Sequence, residues 1–315
     1  MTDVVVTRGL VKRYPGTLAV AGMDLTVGQG EIFGLVGPNG AGKTTTLRIL
    51  ATLLTATSGH AEIAGIDVRR NPDAARRVLG FMPDVFGVYD DMKVWEYLDF
   101  FARCYGIPGS KRRRMIGDLL DLVDLGDKRD SYVQGLSRGM QQRLCLAHTL
   151  VHDPEVLLLD EPASGLDPRA RVELRELRAL GKTIVISSHI LPELEELCTA
   201  VAIVDHGQVL AHGKVADIER RLRFGAVLRV HILAGHSLEE ARAHFAADPR
   251  VASATILADG QIELGFRGDD EASAQLLATA VGAGIRVISF ARAASDLEEL
   301  FLQVTAAAGQ PSQVA

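Results

Sequence analysis

Cysteine, tryptophan and long apolar runs are scarce in this chain of 315 residues. The three cysteines, Cys104, Cys145 and Cys198, are odd in number and share no CxxC or Cys/His spacing. That argues against a disulfide framework or a zinc site and leaves reduced, structural thiols. No apolar stretch approaches the ~18 residues that a membrane-spanning helix needs. The opening Met1-Thr2-Asp3-Val4 has neither the basic nor the apolar region of a signal peptide. The chain is therefore expected in the cytoplasm, and any work at a membrane would need another chain to supply the span. Lysine is also rare, 7 against 27 arginines, which reads as codon usage before function. There is no internal repeat.

What is present is ordinary for a folded, water-soluble protein: 47% hydrophobic and 23% charged residues, a balance that excludes a disordered or fibrous chain. The length suggests two domains and is ample for a core without a covalent staple. A net charge of −6 argues against a dedicated nucleic-acid binder, so no nucleic-acid partner is expected.

Period-2 apolar patterns at 4–10 and 20–27 read as half-buried strands, and Glu31–Val36 as a buried one. A helix runs from Asp91 to Tyr105 on Val94, Tyr97, Leu98 and Phe101, and a second covers about 112–124. Buried strands follow at 156–160, 183–187 and 201–205 with helical stretches between them, the pattern of βαβ units and a parallel sheet. His206-Gly207 reads as a hairpin turn. A short charged helix, Asp217 to Arg223, closes this part. The remainder reads as strand 226–233, helix 237–246, strands 251–257 and 261–266, helix 270–282, strand 285–290 and helix 295–305. That βαββαβ order suggests a small α+β domain of ferredoxin-like type. The expected domains are 1–222, with a helical part at about 85–150, and 223–305, followed by a flexible tail over 306–315.

Two motifs carry chemistry. Gly37-Pro38-Asn39-Gly40-Ala41-Gly42-Lys43-Thr44 fits GxxxxGK[ST] in full, between a strand and a helix. Its glycines let backbone N–H groups turn inward around a β-phosphate, and the helix adds its positive end. Lys43 reaches the β- and γ-phosphates, the Thr44 hydroxyl can ligate Mg²⁺, and Thr45 can bond the α-phosphate. The second motif is Val156-Leu157-Leu158-Leu159-Asp160-Glu161, an apolar strand ending in two carboxylates. Asp160 can hold the Mg²⁺ shell beside Thr44, and Glu161 can orient or deprotonate an attacking water.

Between these motifs stands Leu136-Ser137-Arg138-Gly139-Met140-Gln141-Gln142-Arg143. Here the chain resembles the ATP-binding subunits of ABC transporters, whose signature is usually LSGGQ. The resemblance covers residues 4 to about 220. Ser164-Gly165-Leu166-Asp167 looks like the D-loop, His189 like the switch histidine, and Tyr14 sits where the family places a ring under the adenine. The resemblance implies a P-loop NTPase fold: a RecA-like α/β core, an antiparallel β subdomain and a helical subdomain. It further implies two cassettes facing head to tail, most simply a homodimer, peripheral on the inner membrane face through a separate permease, with ATP and Mg²⁺ as cofactors. Ser137, Arg138, Gly139 and Met140 would act on the partner's nucleotide, Asp167 would cross the interface, and His189 would hold the γ-phosphate. The chain as a whole, with its ending Asp296-Leu297-Glu298-Glu299-Leu300-Phe301, looks most like exporters of the ABC-2 and drug-efflux type.

Two departures from the family pattern stand out. Arg138 and Met140 replace Gly and Gln in the signature, placing Arg138 either near phosphate or in solvent. In Gly80-Phe81-Met82-Pro83-Asp84 the family has Gln where this chain has Asp84. Asp84 then either enters the metal shell or faces the membrane partner or water. Lys111-Arg112-Arg113-Arg114 reads as a solvated helix end, and Trp95, Tyr97, Phe100, Phe101 and Tyr105 as mostly core. Two rival classes fit less well. A ribosome or DNA ATPase would carry a second cassette or a coiled-coil insertion, and a degenerate regulator would lack Glu161 and His189.

Overall fold

The computed structural model describes residues 2–292 except 86, 88, 90, 163–167, 191–193, 195–196, 215–225, 234 and 258. The chain separates into two compact units, Met1–Val215 and Ala216–Ala315. The junction that the sequence places at 222/223, the helix at 217–223, the helix at 295–305 and the tail lie outside the described residues.

In the first unit, β1 (Asp3–Tyr14), β2 (Thr17–Gly28), β4 (Ser58–Ile63) and β5 (Ile66–Asp67) form an antiparallel sheet in the order β2-β1-β4-β5. β1 and β2 run well past the segments expected, because each continues as one arm of a hairpin with repeated register shifts. β4 has only Ala61 and Ile63 as apolar residues, too few to read as a strand alone. It forms because β1 supplies its partner, with Val5 opposite Ile63.

A six-stranded sheet lies at the centre of the unit. It contains β3 (Ile32–Val36), β6 (Leu79–Met82), β7 (Val156–Asp160), β8 (Thr183–Ser188), β9 (Ala200–Asp205) and β10 (Gln208–Gly213) in the order β10-β9-β3-β8-β7-β6. All pairs are parallel except β10 with β9. Every residue of β3, β7, β8 and β9 is buried. Strands covered on both faces require continuous apolar runs, which is how they read in sequence. Helix α1 (Lys43–Leu50) packs against this core through Leu47, Ile49 and Leu50. Helix α2 (Pro72–Val78) leads into β6, and α6 (Pro168–Ala179) precedes β8.

The helical part consists of α3 (Val94–Cys104), α4 (Gly109–Leu122) and α5 (Arg138–Leu150). α3 starts three residues later than its periodicity suggests. The Glu96 carboxylate accepts from the Lys93 N–H at 2.9 Å and so sets the start. Two expectations are corrected here. Tyr97 is core, but Phe100 and Tyr105 are exposed, at 41% and 45%. Arg112 is no solvated charge: its Nε donates to the Asp99 carboxylate at 2.5 Å and its Nη1 to the Ile107 carbonyl at 2.8 Å. No helix among the described residues is long and apolar enough to cross a membrane.

The second unit comprises β11 (Ala226–Ile232), α7 (Leu238–Ala246), β12 (Val251–Ile256), β13 (Ile262–Phe266), α8 (Asp270–Gly282) and β14 (Val287–Arg292). The sheet order is β12-β13-β11-β14, antiparallel throughout. Ser237 and Asp269 cap the two helices, accepting from the N–H groups of Glu240 and Ala272. Leu228, Val230, Phe245, Leu264, Phe266 and Leu276 form a core of its own. Phe245 is fully buried there, so Phe245→Ala should destabilise this unit by about 3–5 kcal/mol. Thermal unfolding followed with bound and free ATP should show that the nucleotide-binding transition of the first unit is retained.

Candidate functional site

The phosphate loop begins where β3 ends. The Gly37 N–H donates to the Ser188 carbonyl at 3.2 Å, so the loop leaves the sheet tied to the end of β8. A Cβ at Gly37 would lie 2.2 Å from the Val204 carbonyl oxygen. Gly42 has φ +103°, and a Cβ there would lie 2.4 Å from the Ala19 carbonyl oxygen. Both positions therefore exclude side chains, one by contact and the other by contact and backbone direction together. Asn39 and Gly40 are exposed at the tip, while Ala41 and Gly42 are buried. Thr44 and Thr45 are half-buried in the first turn of α1. Lys43, only 5% exposed, curls back over the loop, and its Nζ donates to the Gly37 carbonyl at 2.6 Å and the Pro38 carbonyl at 3.2 Å.

Two strands away in the sheet, Asp160 ends β7 and is fully buried. Its Oδ1 accepts from Thr44 Oγ1 at 3.0 Å and from Ser187 Oγ at 2.8 Å. Its Oδ2 is buried with no hydrogen-bond partner among the described residues. Burial pushes the Asp160 carboxyl above its ordinary pKa, and the bonds from Ser187 and Thr44 oppose this. A buried carboxylate oxygen with nothing to bond, beside a threonine hydroxyl, fits a hard divalent cation. No three His, Cys, Asp or Glu side chains among the described residues form a ready cage.

Glu161 turns sharply out of the strand, with φ +47°, an uncommon region for a non-glycine residue. The turn is held by its N–H donating to Ser187 Oγ at 2.9 Å. Its carboxylate then stands between the Lys43 ammonium and the His189 ring: Oε1 is 3.3 Å from Lys43 Nζ, and Oε2 is 2.8 Å from His189 Nδ1. Ser187 thus braces both acids with one hydroxyl, donating to Asp160 and accepting from Glu161. Sequence reasoning missed it. The signal available was a polar end, Ser187-Ser188-His189, on an otherwise apolar strand.

The other expected residues stand apart. Ser137 caps α5, its Oγ accepting from the Met140 N–H at 3.3 Å. Arg138 and Gly139 are exposed beside it. No hydrogen bond or ion pair among the described residues joins this turn to the phosphate loop. Tyr14 ends β1, 39% exposed, with Lys12 Nζ 5.1 Å from its ring centre. Asp84 is exposed two residues beyond β6. Met82 pairs with Leu159, which puts Asp84 at the same sheet edge as Asp160. Asp167 lies outside the described residues.

The sequence profile of the ABC transporter family matches residues 20–164. The daunorubicin/doxorubicin resistance ATP-binding protein DrrA of Streptomyces peucetius is 37% identical over 310 residues, covering 96% of this chain and 93% of that protein. This chain belongs to the ATP-binding subunits of ABC transporters. It is an ATPase of the ABC type. The Nod factor export ATP-binding protein I of Ralstonia nicotianae is 40% identical over 221 residues, 69% of either chain. A solved structure of an ATP-binding subunit of an ABC transporter matches 75% of this chain and 97% of its own, with a TM-score of 0.64 and 29% identity. The cassette fold seen in the first unit is the fold of this family.

The raised pKa of Asp160 gives a stability test. A carboxyl that resists ionisation in the fold penalises the folded state above the ordinary carboxylate pKa, and the penalty vanishes as pH falls below it. Without added metal, Asp160→Asn should therefore melt at or above the parent temperature at pH 8. The difference should shrink toward pH 4, and Mg²⁺-dependent ATP hydrolysis should be lost.

Proposed function

We propose that this chain hydrolyses Mg–ATP to energise export through a separate membrane permease, working on the cytoplasmic face as one of two facing cassettes. The observation that carries the reading is the Glu161 carboxylate, aimed off the end of β7 and held by Lys43 and His189 beside the Thr44–Asp160 pair. Thr44 and Asp160 would hold the Mg²⁺. When bound, Mg²⁺ supplies positive charge against the phosphate oxygens. The phosphate loop N–H groups and Lys43 bind and orient the triphosphate. Glu161 orients the attacking water and accepts its proton. His189 fixes the Glu161 carboxylate and reaches the γ-phosphate. Tyr14 lies under the adenine.

The exposed start of α5 supports completion of the site by the second chain. Ser137 and the Gly139 N–H would present a positive helix end to the γ-phosphate of the partner's nucleotide, with Asp167 crossing between chains. The relatives named for drug resistance and Nod factor export support an exporter of the drug-efflux or ABC-2 type. A groove of about 320 Å³ lined by Phe81, Val85, Tyr89, Phe101 and His148, beside exposed Phe100, supports the permease docking on the helical part. No nucleic-acid partner enters this reading. The second unit is read as a regulatory domain that tunes hydrolysis.

Hydrolysis per mole of protein should rise with protein concentration. Glu161→Gln should retain ATP binding, trap a dimer, and turn over at least about a hundredfold slower, as for loss of a positioned base. Lys43→Ala should act earlier, by weakening nucleotide binding itself. A monomer with a concentration-independent rate would refute the shared site.

Asp84 is proposed as a further oxygen ligand when the dimer closes, its charged carboxylate standing where the family has a neutral amide. Asp84→Asn should then raise the Mg²⁺ concentration for half-maximal hydrolysis severalfold. An unchanged metal titration with intact hydrolysis returns Asp84 to the permease face or to water.

A further inference from the structure

A cleft of about 600 Å³ opens between β1, β4, the β5–α2 connection and the C-terminal end of α1. It lies at the opposite end of α1 from the phosphate loop, and no residue of the nucleotide site lines it. Its floor is core: Leu10, Ile49 and Val68 are 0%, 2% and 5% exposed. Its rim carries Arg69, Arg70, Arg76 and His60.

The hydrogen-bond inventory at the rim is lopsided. Asp67 is the acid lining the cleft, and it is already engaged. Its Oδ1 accepts from the N–H groups of Arg69 and Arg70 at 2.9 Å each, and its Oδ2 is 3.3 Å from His60 Nδ1. The other ring nitrogen of His60 meets Glu62 Oε1 at 2.6 Å. The guanidinium donors are far from exhausted. Arg76 uses Nε on Thr52 Oγ1 and Nη1 on Asp73 Oδ1. Among the described residues the Arg70 guanidinium has one partner, its Nε lying 3.6 Å from Asp67 Oδ2. The Arg69 side chain has no partner among the described residues. Each guanidinium offers five donors and no acceptor. Among the described residues that line the cleft, the rim therefore has N–H groups to give, and its one carboxylate, Asp67, is already engaged.

The wall adds a second observation. Thr52 sits at φ +62°, a region in which a β-branched residue is a true outlier. It is held there by its N–H to the Ile49 carbonyl and by the bond from Arg76. Strain of this kind gathers at ligand clamps. The cleft combines an apolar floor with polar groups along its rim, the two kinds of lining that an amphiphilic small molecule needs.

We infer that this cleft binds an organic anion, whose apolar body lies on the Leu10–Ile49–Val68 floor and whose single carboxylate, sulfonate or phosphate head meets the arginines. A cationic amphiphile of the same length should bind more weakly, because the arginines would repel its head group.

The test uses the full chain with Mg–ADP at saturation, so that the nucleotide site is filled. Fluorescence titration with 8-anilinonaphthalene-1-sulfonate should show one saturable site per chain, displaced by sodium decanoate and not by decylammonium. The surface pair Arg69→Glu and Arg70→Glu should weaken both anions by about tenfold or more, the loss of a charge-assisted bond to the head group. Ala56→Trp, which fills the cleft from its wall, should abolish binding while thermal unfolding shows the fold retained. Absence of a saturable site, equal displacement by decylammonium, or affinity unchanged in the double arginine variant overturns the inference.

Discussion

The site depends on the in-register parallel pairing of β3, β8 and β7. Val36 lies opposite Ser188, and Ser187 opposite Asp160, so three chain segments far apart in sequence end at one sheet edge. Parallel strands present their C-terminal ends together, and ligands of open α/β sheets bind beyond those ends. The apolar runs of the three strands are what hold the register, because both faces are buried and a one-residue slip would move Asp160 off Ser187 and Thr44. Packing of Leu158 and Val185 in the common core is therefore as much a part of the site as the acids are.

Unfavourable features concentrate at that edge. Asp160 is a buried carboxylate with one oxygen unmatched, Glu161 is in a left-handed conformation, and Lys43 is almost wholly buried. Each is costly alone. Lys43, Glu161 and His189 form a chain of polar contacts that the surrounding sheet holds in place. Lys43 Nζ, the group expected to meet a triphosphate, lies 3.3 Å from Glu161 Oε1, so binding there would disturb the Glu161 carboxylate.

The helical part and the second unit follow a different rule. Their elements are fixed by local signals: Ser137, Ser237 and Asp269 cap helices through their own side chains. Their apolar residues close small cores, such as that around Phe245 and Phe266. Phe100 and Tyr89 are exposed beside the groove near His148, so part of the apolar surface of the helical part stays open.

The amino-acid sequence by itself determined the elements whose physics is local. These are the buried strands, legible as unbroken apolar runs, the helix after the phosphate loop, and the loop itself, whose glycines and Lys43 belong to one contiguous motif. Asp160 and Glu161 were legible for the same reason, as carboxylates ending an apolar strand. Tertiary structure decided what depends on pairing across long separations. β4 is a strand because β1 lies beside it, Ser187 matters because β8 places it between two acids, and Arg112 is paired because α3 presents Asp99. Phe100 and Tyr105 are aromatic residues in or just after α3, yet both are exposed, while Tyr97 on the same helix is buried. Periodicity gives a face its stripe, and only packing decides how wide a stripe is covered.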